Sequence, residues 1–383
     1  MIKILHFATS YSARTQTFVR DLYHRQQEDP SYDARLICLD RPNERPLNEK
    51  GITSLPYHPH EGGTATKIRS KLRGRGAVRH DPVLAAALRE YLQKWQPDII
   101  LVYFGDAATL LYAHLDEALR RRMYWCVLIL GYDGSSYPRN RPGYVRELKK
   151  LLAQRNVLTW FVCDFLRRQL VLYSVLSYRH VVRPLAIDCD KFHPPVKPAA
   201  GLPVFLQVGA FREKKAQMDT LAAFELVLKS RPDARLQLAG SGKDLALCQL
   251  LAQKQGISGQ VDFLGFVSPA ATPELYRNAT VYVHPSKTAA AGTTEGAPVS
   301  IGEAMATDLA IVATRHAGIP ELVTSPTCGI LVAEHSPEQL AVAMLAALDL
   351  RPAGRNRSHA LAHFSTKAER PWLARQLNQL LNS

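Results

Sequence analysis

The sequence predicts an α/β protein built from two Rossmann-like halves, each a parallel sheet flanked by helices. Three observations carry this. Short apolar runs of four to eight residues alternate with longer amphipathic stretches along the chain, which is the signature of strand–helix–strand units. A stretch with five prolines, residues 184–203, separates the two halves and reads as a linker. At 383 residues the chain is long for one domain and suits two.

In the first half, residues 2–8 (IKILHFA) read as a buried strand, with His6 as a core residue. Residues 9–17 form a polar loop, 18–27 a helix and 34–39 a second strand. Residues 40–59 are Pro-rich and read as irregular. Helices follow at 83–96, 107–121, 145–153 and 164–173, and strands at 99–102, 123–130, 158–162 and 180–183. In the second half, strands fall at 204–208, 236–239, 261–264, 281–283, 310–313 and 330–332, with helices between them. Helices at 337–350 and 370–381 finish the chain.

The bulk numbers narrow the function classes. An apolar fraction of 46% supports packed cores. No apolar run approaches the ~20 residues that span a bilayer. The N-terminus reads as a first strand, not a signal peptide. Six scattered cysteines without C-x-x-C spacing fit reduced thiols in a cytoplasmic protein. His58 and His60 form an H-x-H pair without an evident third ligand, so no metal site is expected.

Net charge is +14 and uneven: residues 1–195 hold 30 Lys and Arg against 19 Asp and Glu. A basic half points to an anionic partner. Residues 67–80 (KIRSKLRGRGAVRH) carry six basic residues and no acid. They read either as a solvated loop or as a contact for an anionic acceptor or membrane surface. No stacking aromatics interleave with them, which argues against nucleic acid.

The most informative stretch is 284–303, HPSKTAAAGTTEGAPVSIGE. A strand ends, a loop of small residues follows, and a helix begins near Pro298. Glu295 lies just before that helix and Glu303 inside it. A helix N-terminus favours anions, while carboxylates accept hydrogen bonds from sugar hydroxyls. Together they suit a nucleotide-sugar, or else an ordinary strand–loop–helix connection.

Glu295 and Glu303, with seven residues between them, resemble the E-x7-E element of retaining glycosyltransferases of the GT-B fold, glycosyltransferase family 4. The likeness includes HPS before it, EGAP within it and EAMATDLAIVATRHAGIPELV after it. VVRPLAIDCDKFHP at 181–194 is similar to the family's interdomain segment. The resemblance implies two Rossmann-like domains facing a cleft. The first would be an acceptor domain, 1–184, joined by a returning C-terminal helix at about 370–383. The second would be a donor domain, 185–369.

The resemblance also implies site residues. VGAFREKKA at 208–216 matches a phosphate-binding loop, with Gly209 near the ligand and Lys215 at the phosphate-binding position. Ala210 stands where the family has arginine, and Arg212 is the candidate to replace its charge. Gly240 matches a glycine turn. Phe266 and Val267 would line the base pocket. Gly296, Ala297, Pro298 and Val299 would hold sugar or diphosphate. Glu303 would take the ribose, and Glu295 would face the donor sugar. Ser12, Arg14 and Thr15 would reach the diphosphate.

The main departure is at 129–133, ILGYD, where Leu130 replaces an expected histidine. Asp133 or a backbone carbonyl would then serve the donor sugar. The implied activity is metal-independent transfer from a nucleotide-diphosphate-sugar to a saccharide or lipid-linked acceptor, in the cytoplasm or on the inner membrane face, with no cofactor. The alternative is a degenerate relative that binds nucleotide-sugar without catalysis.

Overall fold

A computed structural model describes residues 1–10, 17–40, 51–57, 78, 80–196, 201–350 and 352–383. Ser12, Arg14, Thr15, His58, His60 and nearly all of the basic run at 67–80 lie outside these residues. The chain divides into two compact units. One is Met1–Arg183 with Ala374–Ser383, the other Pro184–Leu373.

The first unit holds a seven-stranded parallel sheet. Its strands are β1 (Ile2–Ala8), β2 (Tyr32–Asp40), β3 (Ile52–Pro56), β4 (Ile99–Tyr103), β5 (Tyr124–Ile129), β6 (Val157–Phe161) and β7 (Arg179–Val182). The order is β3-β2-β1-β4-β5-β6-β7. Central β4, IILVY, is buried along its whole length, as a strand covered on both faces should be. His6 is fully buried within β1. Its Nδ1 meets the Tyr103 hydroxyl at 2.8 Å and its Nε2 meets Gln26 Oε1 at 2.6 Å. Burial lowers its pKa to about 3.

The second unit holds a six-stranded parallel sheet of β8 (Val204–Val208), β9 (Arg235–Ala239), β10 (Val261–Gly265), β11 (Val281–His284), β12 (Ala310–Thr314) and β13 (Gly329–Val332). The order is β10-β9-β8-β11-β12-β13. Alternating side chains feed separate clusters on its two faces. Phe205, Val281, Val283 and Val312 pack in one, and Leu206, Tyr282, Ile311 and Ala313 in the other. This is the period-two consequence of strand geometry. Both sheets are Rossmann-like, with strand order reversing between β1 and β4 and between β8 and β11.

Three expectations need correction. The Pro-rich region read as irregular contains β3, which pairs with β2 at the sheet edge and buries Ile52 and Leu55. A short edge strand tolerates a terminal proline that a central strand would exclude. The helix expected at 107–121 is two, Gly105–His114 and Glu117–Arg122. Asp116 caps the second by accepting from Leu119 N–H at 2.9 Å, so the chain restarts a helix there. A helix at Arg355–His363 was missed. It is mostly polar, and Asn356 anchors it by donating to the carbonyls of Leu309 and Cys328.

Candidate functional site

In open parallel sheets, ligands gather beyond the carboxyl ends of strands where the order reverses. In the second unit that point lies between β8 and β11. The loops after these two strands carry Lys215 and Glu295.

After β8 the chain runs through Gly209 into a short turn at Glu213–Lys215 and then the helix Gln217–Leu228. Ala216 sits between them in the left-handed region, φ 52°. That is a strained setting for a residue with a Cβ. Gly209 N–H bonds Ala239 O at 2.9 Å, and Gly240 N–H bonds Gly265 O at 2.7 Å. The loops after β8, β9 and β10 are thereby laced together. Gly240 has φ +143°, and a Cβ there would lie 2.0 Å from Gly209 O. Only glycine fits this approach.

Glu295 is buried beneath two lysines. Lys215 Nζ lies 3.1 Å and Lys214 Nζ 3.3 Å from Glu295 Oε1. Burial alone would raise the Glu295 pKa. The two ammonium groups overcome that and hold it below the usual carboxylate range. For Lys215, burial outweighs the help of Glu295, and its pKa is lowered. Arg212, the expected substitute cation, stands exposed. Lys214 takes the second place on Glu295 instead. Sequence inspection overlooked Lys214; its adjacency to Lys215 was the available signal.

Polar groups without a hydrogen-bond partner occur in the same stretch of chain. His284 Nε2, Ser286 Oγ and Thr294 Oγ1 are buried and have no hydrogen-bond partner. The His284 ring is fully buried, its Nδ1 3.2 Å from the Tyr282 hydroxyl. Burial, then the neighbouring Lys215, pushes its pKa well below the ordinary value. Orphaned buried polar atoms cost roughly 1–3 kcal/mol each. Ordered water or a bound ligand would satisfy such groups.

Glu303 lies in the helix Val299–Ala306. Its Oε2 accepts from the buried Tyr276 hydroxyl at 2.7 Å, which fixes the carboxylate's direction. Pro298 caps this helix's start with extended backbone, and Gly296 to its N-terminal side is buried. Ala297 and Val299 flank Pro298 and are half-buried. Phe266 and Val267 follow β10 directly, and Phe266 is exposed.

The first unit tells a different story at its corresponding turn. Asp133 is fully buried. Its carboxylate accepts from the N–H groups of Gly105 (2.9 Å), Gly131 (2.7 Å) and Leu130 (3.1 Å). The carboxylate that was to face a sugar is engaged in holding the turn. Burial nonetheless raises its pKa to about 7, with nearby Asp106 adding to the rise. Asp106 itself accepts from the Tyr132 hydroxyl at 3.0 Å. Phe104, between β4 and Asp106, has φ 75°. A bulky residue there is a genuine strain outlier.

Comparison with known proteins places this geometry. Residues 189–364 match the family model for glycosyl transferases group 1. A glycosyltransferase assigned to colanic acid biosynthesis, WcaL of Escherichia coli K12, is 27% identical over 271 residues, 70% of this chain and 66% of the relative. The match thus spans just under two thirds of that relative's length. A GDP-mannose-dependent monoacylated phosphatidylinositol monomannoside mannosyltransferase of Corynebacterium glutamicum is 27% identical over 325 residues, 81% of this chain and 82% of that one. Anabaena HepE, solved with UDP and glucose, superimposes with a TM-score of 0.75 at 16% identity, over 99% of this chain and 100% of that one. Residues 189–364, just under half of the chain, match the group 1 glycosyl transferases, and the two Rossmann-like sheets share the GT-B fold of the solved structure.

Proposed function

We propose that the chain transfers a sugar from a nucleotide-diphosphate-sugar to a saccharide or lipid-linked acceptor in glycan or glycolipid synthesis. The observation that carries this reading is the Lys214–Lys215–Glu295 cluster at the β8/β11 switch point, with the buried His284 imidazole beside it. Preorganised cations suit a departing diphosphate. The buried carboxylate and neutral hydroxyls suit sugar hydroxyls. Gly209 and Gly240 leave room for the diphosphate, and Glu303 takes the ribose. Gly296 to Val299 offer backbone N–H groups, and Phe266 with Val267 flank the base.

The reaction needs no metal in this reading. The acceptor hydroxyl oxygen bonds to the anomeric carbon while the bond from that carbon to the phosphate oxygen breaks. The nucleoside diphosphate leaves and takes the acceptor proton on its departing oxygen. Attack and departure on one face retain the anomeric configuration. Glu295 then orients the sugar and is not a nucleophile, which separates this chemistry from paired-carboxylate hydrolysis.

A lipid-linked acceptor receives support from the first unit's surface. Leu172, Leu176 and Tyr178 are 75%, 62% and 52% exposed. Arg155 and Arg179 lie 5.8 and 5.7 Å from the Tyr178 ring. Residues 165–187 contain no Asp or Glu. Apolar tips among arginines suit an anionic bilayer surface at the cytoplasmic face. Among the described residues no helix is long and apolar enough to cross a membrane.

Thermal-shift screening against UDP-, GDP- and ADP-sugars, followed by nucleotide-release assays, tests the proposal. Stabilisation by one donor and acceptor-dependent nucleotide release are expected. A chain stabilised by none of them does not have this function. Stabilisation without release under any acceptor favours the non-catalytic alternative, whose motivation is Leu130 in place of an imidazole. Sedimentation with anionic against neutral vesicles tests the surface. Equal, negligible binding to both would remove the membrane part.

A further inference from the structure

The loop that carries Glu295 cannot hold its own shape. Residues 288–295 read TAAAGTTE, with no side chain before Glu295 large enough to anchor it. One internal turn exists: Ala289 N–H bonds Thr293 O at 3.1 Å, and Gly292 N–H bonds Ala289 O at 2.7 Å. The other restraints come from outside the loop. Glu213 Oε1 accepts from Ala290 N–H at 2.9 Å. Lys214 Nζ donates to Thr294 O at 3.4 Å and, with Lys215, pairs with the Glu295 carboxylate; two further bonds, to the backbone at each end of the loop, belong to one relay.

Glu334 Oε2 accepts from Thr288 N–H at 2.8 Å. Its other oxygen, Oε1, lies 2.7 Å from His316 Nδ1. His316 Nε2 lies 3.0 Å from Glu295 N, which donates to it. The relay therefore closes the loop from its first residue to its last. It also settles the imidazole. A backbone N–H is always the donor, so Nε2 carries a lone pair. The ring proton then sits on Nδ1 and donates to Glu334. His316 is 1% exposed, so water is not positioned to replace either bond. Glu334 comes from beyond β13 and His316 from beyond β12, so the brace joins three strand ends.

We propose that His316 and Glu334 are a pair of positioning residues. They hold the Glu295 backbone, and through it the carboxylate under Lys214 and Lys215, in the place where it meets the donor sugar. The proposal rests on the reading of Glu295 given above. Neither residue touches the substrate in this account. Their effect is on the sugar end of the donor, not on the nucleotide.

The test compares His316→Phe, His316→Gln and Glu334→Ala with the parent chain. Phenylalanine keeps the ring volume and removes both bonds. Glutamine can accept from Glu295 N–H through its oxygen and donate to Glu334 through its amide. For His316→Phe and Glu334→Ala, kcat for nucleotide release from the donor found by screening should fall about 10- to 100-fold, the scale set by small misplacements. The Kd of the corresponding free nucleoside diphosphate, by calorimetry, should stay within about twofold. His316→Gln should recover most of the loss. An unchanged kcat in His316→Phe overturns the proposal. So does a nucleotide Kd that weakens in parallel with kcat, or a glutamine variant no better than phenylalanine.

A second measurement does not depend on the donor. Nitrogen NMR of the ligand-free parent should show His316 as the Nδ1–H tautomer, shifting in Glu334→Ala. The Nε2–H tautomer would overturn the brace even in a chain that proves inactive. The Nδ1–H tautomer with no donor binding would leave the brace standing and sink the reading of Glu295 instead.

Discussion

Two buried carboxylates in this chain sit beyond strand ends of parallel sheets, and they have opposite surroundings. Asp133, after β5, receives three backbone N–H bonds. Glu295, after β11, faces two lysine ammonium groups, with unpartnered His284, Ser286 and Thr294 atoms in the same stretch. The first is consumed by its own turn. The second is held by charge that a ligand can share. A carboxylate in a strand-end turn is therefore ambiguous until its partners are known, and backbone donors mark a structural role more surely than burial does.

Five experiments can break or sharpen that contrast. The largest effect is expected for Asp133→Ala. It leaves three buried N–H groups without an acceptor, at roughly 1–3 kcal/mol each, so urea unfolding should show a loss of at least about 3 kcal/mol. A loss under about 1 kcal/mol would mean the turn does not depend on this carboxylate.

Glu295→Gln should cost about 100-fold in kcat, the scale seen when one preorganised group is removed from a reacting centre. It also leaves Lys214 and Lys215 facing each other without an anion. A nucleoside diphosphate should then raise the melting temperature of the variant more than that of the parent. Equal shifts would separate Glu295 from the diphosphate site.

Glu303→Ala should raise the donor KM about tenfold and cost only about 1 kcal/mol of stability, because the Tyr276 hydroxyl loses its carboxylate partner but retains the Ser300 carbonyl at 3.3 Å. Calorimetry showing unchanged donor binding would remove its ribose assignment. Replacement of Lys215 by Met should weaken nucleotide binding more than the same change at Lys214, since Lys215 is the more buried cation.

The last effect is a pH slope. The folded pKa of Asp133 is raised to about 7, against about 3.9 in an unfolded chain. Between these values the folded state holds a proton that the unfolded state has lost. Unfolding then releases a proton, so stability should fall as pH rises from about 4 to 7 and level off above it. Asp133→Asn should flatten that limb in a series of urea melts. A limb that persists in the variant would assign the slope to another group.

Much of this was legible beforehand, for identifiable reasons. Strands such as β4 and β8 are short apolar runs between turn residues, and parallel sheets demand such runs because both faces are covered. The E-x7-E stretch could be read because it and its flanking residues resemble a known family signature. β3 was missed because an edge strand can be short, flanked by prolines and only half apolar. The split of the helix after Gly105 was missed because a capping Asp116 looks like any surface acid until its N–H partner is known.

By itself, then, the sequence determined the two-sheet architecture through local pattern, and its resemblance to a known family singled out Glu295, Glu303 and Lys215 as candidates. Only the tertiary structure decided which groups face them. Lys214 rather than Arg212 meets Glu295. His316 and Glu334, about 20 to 40 residues downstream, brace its loop. Asp133 turns inward. The physical reason is that a side chain's role depends on its hydrogen-bond and charge partners. Those partners are brought from other strand ends by the crossover connections, which no local window contains.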